Sequence, residues 1–317
     1  MIKYFRLLAN NNLINNLNKN GSVKLIIQQR YYSVIEPYKL QYISDIHLEY
    51  LNTFPRIKPI APHLALLGDI GNPFLSNYHE LLTYASYNWE KIFILTGNHE
   101  YWQENKTMQE VDEHIQSLSS NYKNIFFLNN NTHMVTPEYM ILGTTLWSHI
   151  RSEPKTLFGD DISILINKQQ HIRWNNINSI YNHNTNWLIN ELNLVKSQNI
   201  LIHNDNHNHN NNNNNNNNMA TYKYKPTKCI VLTHHLPTYQ LIHPKYRNSP
   251  YQDRFASNLE DLITDPVSAW LCGHSHIIMN IMVNEIPCAI NAYGYSKQNP
   301  YRTLDNINQV LTLDQVT

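Results

Sequence analysis

The chain is short of the residues that would place it in several protein classes. It has three cysteines, Cys229, Cys272 and Cys288, in 317 residues, an odd number with no Cys-x-x-Cys spacing. That argues against a disulfide framework and against a thiolate zinc site, and leaves the thiols as small core residues in a reducing compartment. An excess of charge is also missing, because 24 Lys and Arg balance 24 Asp and Glu. No global field draws such a chain to nucleic acid or to an anionic membrane, so any phosphate binding has to be local. No apolar run approaches the roughly 18 to 20 residues that a bilayer-crossing helix needs. Nor does a basic stretch interleaved with aromatics suggest a nucleic-acid groove.

Two segments stand apart in composition. Residues 1 to 35 carry Lys3, Arg6, Lys19, Lys24 and Arg30 and no acid, between short apolar clusters. Basic, acid-poor, amphipathic leaders of this kind direct mitochondrial import. The string "QQRYYSVIE" places Arg30 two residues before Tyr32, which resembles a presequence cleaved between Tyr32 and Ser33. Residues 1–36 are therefore expected to be an N-terminal extension acting as a mitochondrial presequence, the alternative being an Asn-rich tail on a cytoplasmic protein. The second segment, at about 203–221, is dominated by Asn and His. It cannot bury enough apolar area to offset its ordering entropy and is expected to be a disordered insertion within one domain, 37–317.

From Tyr38 onward, short apolar runs recur and each ends in polar residues: "LQYISD", "HLALLGD", "KIFILTGNHE", "CIVLTHH" and "SAWLCGHSH". Helix-period stretches lie between them, in "SNYHELLTYASYNWE", "TMQEVDEHIQSLSS" and "TNWLINELNLVKS". Alternating strand and helix predicts an α/β fold, and the further strands "NIFFL", "YMILGTTLW", "IIMNIMV" and "CAINAYGY" add antiparallel pairing. Ligands of open α/β sheets collect beyond the carboxyl ends of the strands, where every one of these polar clusters falls.

The clusters supply Asp45 and His47 ("DIHLE"), Asp69 ("GDIG"), Asn98 and His99 ("GNHE"), His234 and His235 ("THH"), and His274 and His276 ("GHSH"). Carboxylate, imidazole and amide donors without thiolate suit Mn, Fe, Zn or Co better than Ca or Mg. Singly, each cluster reads equally well as a turn or a strand end. The His274 and His276 pair serves one ion if the backbone stays extended and two neighbouring ions if it turns.

The ordered set D-x-H, G-D, G-N-H-E, H, G-H-x-H resembles the calcineurin-like metallophosphoesterase superfamily, over about Tyr38 to Tyr295. "ILGTTLWS", "VLTHHLP" and "NAYGY" are similar to a little-characterised branch of it. The resemblance implies a two-sheet β sandwich flanked by helices, in four layers α/β/β/α, around two divalent or trivalent metal ions. By that resemblance Asp45, His47 and His276 hold the first ion, Asn98, His234 and His274 the second, and Asp69 bridges both. A metal-activated hydroxide then attacks phosphorus, and His99 gives the leaving oxygen its proton. Glu100 is expected to orient His99, and His235 to contact substrate or support a ligand.

Departures from the family pattern narrow the substrate. Serine/threonine protein phosphatases extend the second motif to G-D-x-x-D-R-G, whereas this chain reads "GDIGNPF", with Asn72 and Pro73 in those places. A purple acid phosphatase would have Tyr where Asn72 stands. What remains is a small phosphomonoester or phosphodiester. The rival reading is a non-catalytic scaffold on the same fold, whose members have lost ligands that this chain keeps.

Overall fold

The computed structural model describes residues 36–151, 159–209, 226–295 and 308–315. The expected presequence, apart from Glu36, and residues 210–221 of the expected insertion lie outside the described residues. In chain order the elements are β1 (Tyr38–Ile43), β2 (His63–Leu67), α1 (Ser76–Asn88), β3 (Lys91–Leu95), α2 (Met108–Ser120), β4 (Ile125–Phe127), β5 (Asn131–Met134) and β6 (Tyr139–Thr144). They continue with β7 (Leu165–Asn167), β8 (Gln170–His171), α3 (Trp174–His209), β9 (Lys228–Thr233), β10 (Val267–Cys272), β11 (Ile278–Val283), β12 (Ile286–Asn291) and β13 (Gln309–Leu313).

Strands buried on both faces read as unbroken apolar runs, and β2 (HLALL), β3 (KIFIL) and β9 (KCIVLT) have that character. Among the described residues, eleven strands form two mixed sheets, ordered β13-β1-β2-β3-β4 and β11-β12-β10-β9-β6-β5, and β7 pairs with β8 in a separate two-stranded sheet. In the first, β1 to β4 are parallel and β13 is antiparallel on the edge. In the second, β12, β10, β9 and β6 are parallel, with β11 and β5 antiparallel at the two edges.

Side-chain alternation along each strand assigns the layers. Leu40, Ala65, Leu67, Phe93 and Leu95 of the first sheet pack against Ile141, Ile230, Leu232, Ala269 and Leu271 of the second. Leu64, Leu66, Ile92 and Ile94 face the other way, onto Tyr78, Leu81, Leu82 and Ala85 of α1. On the far side of the second sheet, Leu142, Val231 and Trp270 share a core with Leu188, Leu192 and Val195 of α3. The order helix, sheet, sheet, helix is the four-layer sandwich the sequence led us to expect. Each fully buried leucine contributes about 1.5 to 3 kcal/mol, so the sandwich is a rigid base for the loops at its end. Among the described residues, no helix is long and apolar enough to cross a membrane.

One boundary differs from expectation. The backbone of residues 203–209, expected to open the irregular insertion, continues α3 to His209. An existing helix grows by one hydrogen bond per residue without a new nucleation cost, and Asn costs only about 0.7 kcal/mol per position relative to Ala.

Candidate metal centre

The site lies where parallel strands of both sheets end. Asp45 and His47 follow β1, Asp69 follows β2, Asn98 and His99 follow β3, His234 and His235 follow β9, and His274 and His276 follow β10. Loop-to-loop hydrogen bonds hold the first two segments together, from Asp45 N to Gly68 O (3.0 Å) and from His47 N to Asp69 O (3.0 Å). Gly273 N bonds His234 O at 2.9 Å, tying the last two.

Five of these residues hold left-handed backbone: Asp45 (φ 55°), His47 (55°), Asp69 (52°), His274 (67°) and His276 (52°). An L-residue pays about 1 to 2 kcal/mol for that conformation, and such strain gathers at functional sites. The backbone at His274 and His276 therefore turns, which sends the two imidazoles into different groups. At Gly97 the crowding is direct, because a Cβ there would sit 2.2 Å from Asp69 Oδ1 and 2.6 Å from His234 Nε2.

Three donor groups result among the described residues, one of them His47, Glu49 and His99, and Asp69 belongs to the other two. Asp45, His47, Asp69 and His276 bring one donor atom each within 4.8 Å of one another, and Asp69, His234 and His274 do the same. In the first group His47 Nε2 is 3.1 Å from His276 Nε2, and His276 Nε2 is 3.3 Å from Asp45 Oδ1. In the second, His234 Nε2 is 3.4 Å from Asp69 Oδ2.

The outer nitrogens of the rings are already engaged. His47 Nδ1 donates to Glu49 (3.0 Å), His234 Nδ1 to Leu67 O (2.8 Å) and His274 Nε2 to Arg254 O (3.1 Å). Each bond fixes a tautomer and leaves the other nitrogen with a lone pair, as metal-binding histidines require. Among the buried atoms without a hydrogen-bond partner, three lie in this site: His234 Nε2, Asn98 Oδ1 and Glu49 Oε2. Asn98 Nδ2 donates to Asp161 Oδ1 at 2.8 Å, so its oxygen is the free end. Orphaned buried acceptors are costly, and cations at these positions would satisfy them. The residues present therefore fit a pair of first-row metal ions.

Burial alone would raise the pKa of Asp69, but His234 and His99 hold it well below the usual carboxylate range. Burial and the neighbouring His235 and His234 lower the pKa of His274, which keeps that ring neutral.

His99 is framed on three sides. Its Nδ1 lies 2.9 Å from Glu49 Oε1, its Nε2 lies 3.1 Å from the Tyr295 hydroxyl, and Trp102 covers its face with centroids 3.5 Å apart. The expectation that Glu100 orients His99 is corrected by this geometry. Residues His99–Tyr101 form a short 3₁₀ turn, in which consecutive side chains diverge. Glu100 turns back and accepts from three backbone N–H groups, Gly97 (2.7 Å), Ile70 (2.7 Å) and Asp69 (3.0 Å). Glu49 holds His99 instead. Its signal was in "DIHLE", where residues 45, 47 and 49 follow a two-residue step. Asp161, which fixes Asn98 and Trp102 Nε1 (2.8 Å), has no motif around it. His235 is buried against Trp147 and packs on the His274 ring, with centroids 4.3 Å apart.

Comparison with other proteins bears on the fold and the family. An uncharacterized protein of Acanthamoeba polyphaga mimivirus is 30% identical over 298 residues, covering 86% of this chain and 98% of that one. The crystal structure of phosphopantetheinyl hydrolase from Mycobacterium tuberculosis superposes with a TM-score of 0.58 at 14% identity, covering 87% of this chain and 96% of that one. At that identity the likeness is one of fold. A family model described as calcineurin-like phosphoesterase matches residues 39–277, the stretch that carries both donor groups sharing Asp69 and the strand ends that present them. The chain belongs to the calcineurin-like phosphoesterase family.

Proposed function

We propose that this protein hydrolyses a small phosphomonoester or phosphodiester with two bound metal ions, Mn, Fe or Zn. The observation that carries the reading is Asp69, shared by two donor groups that converge from four strand ends. Asp45, His47 and His276 would hold one ion, Asn98, His234 and His274 the other, and Asp69 both. When bound, such a pair neutralises phosphoryl oxygens and lowers the pKa of a water towards about 7.

The chain's own residues supply positioning and proton transfer. Glu49 engages Nδ1 of His99, so Nε2 is the end that gives a proton to the leaving oxygen. Burial opposes a proton on this ring, but Asp69 and Glu49 raise its pKa, which favours the protonated form an acid needs. Trp102, tilted by 32° over one face, limits the ring's rotation. The water's oxygen joins phosphorus, the ester P–O bond breaks, and the leaving alkoxide takes the His99 proton.

Purified protein assayed on para-nitrophenyl phosphate and its bis ester, with and without Mn, tests the proposal. Turnover that needs metal and disappears in Asp45→Asn and His99→Ala supports it. Bound metal with no turnover on any phosphoester would favour a non-catalytic scaffold. The basic, acid-free residues 1–35 support a further proposal, mitochondrial import, which a diffuse cytosolic signal from a fusion of residues 1–40 to a fluorescent protein would contradict.

A further inference from the structure

We infer that the substrate of this site carries an uncharged, ring-bearing leaving alcohol, packed against Tyr50 and Tyr295. The inference rests on the hydrolase reading above and adds the substrate class to it.

The position of the leaving oxygen follows from His99. Glu49 occupies Nδ1, so the leaving oxygen has to come within hydrogen-bond reach of Nε2. That nitrogen faces the Tyr295 hydroxyl at 3.1 Å. The rest of the leaving group therefore extends along Tyr295. The Tyr295 ring also packs over His47, with centroids 4.4 Å apart, and over His276, at 4.6 Å.

On this side lies a cavity of about 410 Å³ lined by Ile46, Tyr50, Leu51, Tyr293 and Tyr295, together with His47 of the metal cluster. Among the described residues, no Asp, Glu, Lys or Arg lines it. A leaving group with its own phosphate or carboxylate would find no cationic Lys or Arg side chain among these residues to replace its lost hydration, which is costly. An apolar ring meets no such cost. Tyr50 and Tyr295 pack edge to face on each other, with centroids 5.6 Å apart and planes at 76°, and together form an aromatic wall of the cavity. A ligand ring packs favourably against such a wall. Tyr50 is 61% exposed although it stands beside the cluster, so its ring offers apolar area for a ligand to cover.

The reaction is RO–phosphate plus water giving ROH plus phosphate. The oxygen of water bonds to phosphorus, the P–O(R) bond breaks, and RO⁻ leaves with the proton from His99 Nε2 into the tyrosine-lined cavity.

Two esters whose leaving alcohols are of similar acidity, 2-naphthylmethyl phosphate and ethyl phosphate, separate pocket recognition from leaving-group chemistry. With the metal-loaded full chain, kcat/KM for the naphthylmethyl ester is expected to be at least about tenfold higher. Tyr50→Ala should reduce that ratio about tenfold. Tyr87→Ala, at a position 86% exposed on α1, should leave the ratio unchanged. Calorimetry with the matching phosphonates should show the same preference without turnover, and it decides the matter from the wild type even if Tyr50→Ala does not fold. Equal affinity and rates, or a preference that survives Tyr50→Ala, would overturn the inference while ethyl phosphate turnover leaves the hydrolase reading standing. Failure of both esters to react with metal bound would remove the inference, and failure of para-nitrophenyl phosphate and its bis ester as well would remove the hydrolase reading with it.

Discussion

Glu49 Oε1 accepts from His99 Nδ1 at 2.9 Å, and the same oxygen lies 3.0 Å from His47 Nδ1. One carboxylate oxygen thus orients two imidazoles, the proposed proton donor and a proposed metal ligand. Burial would raise the pKa of Glu49, but its bonds to His47 and His99 lower it, so it stands ready as an ionised acceptor.

Replacing Glu49 with Ala should lower kcat about 10- to 100-fold and weaken metal binding, the size seen when partners of metal-binding histidines are removed. Glu49→Gln keeps an accepting oxygen and should retain more of the activity. Nitrogen chemical shifts of the ring of His99 read the tautomer directly. Unchanged tautomer and unchanged kcat in Glu49→Ala would contradict the role.

Glu100 predicts a different phenotype. It is fully buried, and its carboxylate is the acceptor for three backbone N–H groups of the loops after β2 and β3. Each donor left unpaired costs about 1 to 3 kcal/mol. Glu100→Ala should therefore lower the unfolding free energy by about 3 kcal/mol or more, measured by urea titration, whereas Glu49→Ala should change it far less. Equal losses in the two variants would refute this division of labour.

Asp112 gives a pH signature away from the metal centre. It accepts from the Tyr101 hydroxyl (2.7 Å) and Asn129 Nδ2 (2.8 Å), yet burial raises its pKa from 3.8 to about 6. The folded state then binds this proton more tightly than the unfolded chain does. The wild type loses stability as pH rises from about 4 through about 6, by on the order of 3 kcal/mol in all. Asp112→Asn has no such proton, so its melting temperature should gain on the wild type between pH 4 and pH 7. A difference that does not vary with pH would refute the assignment.

Much of this architecture was legible in the sequence because burial writes itself into composition. Strands covered on both faces, such as Leu64–Leu67 and Ile230–Leu232, are unbroken apolar runs, and the polar residues that end them mark the sheet's ligand-binding end. Helix α3 was seen only in its amphipathic middle, because its Asn-rich continuation lacks an apolar stripe. Strand β13 pairs on an edge far away in sequence, and nothing local announces that partner. In the site, residues in ordered motifs could be named, while Glu49, Asp161 and Tyr295 act through contacts made by tertiary folding. Glu100 was misplaced because adjacency in sequence was taken for adjacency in space, and the turn at His99–Tyr101 separates the two side chains.

The central claim is that Asp69 joins two metal positions in one pocket. Anomalous diffraction from crystals soaked in Mn tests it most directly. Two peaks roughly 3.5 to 4 Å apart, one beside Asp45, His47 and His276 and the other beside Asn98, His234 and His274, with Asp69 between them, are the expected result. A single peak, or peaks remote from Asp69, would contradict it.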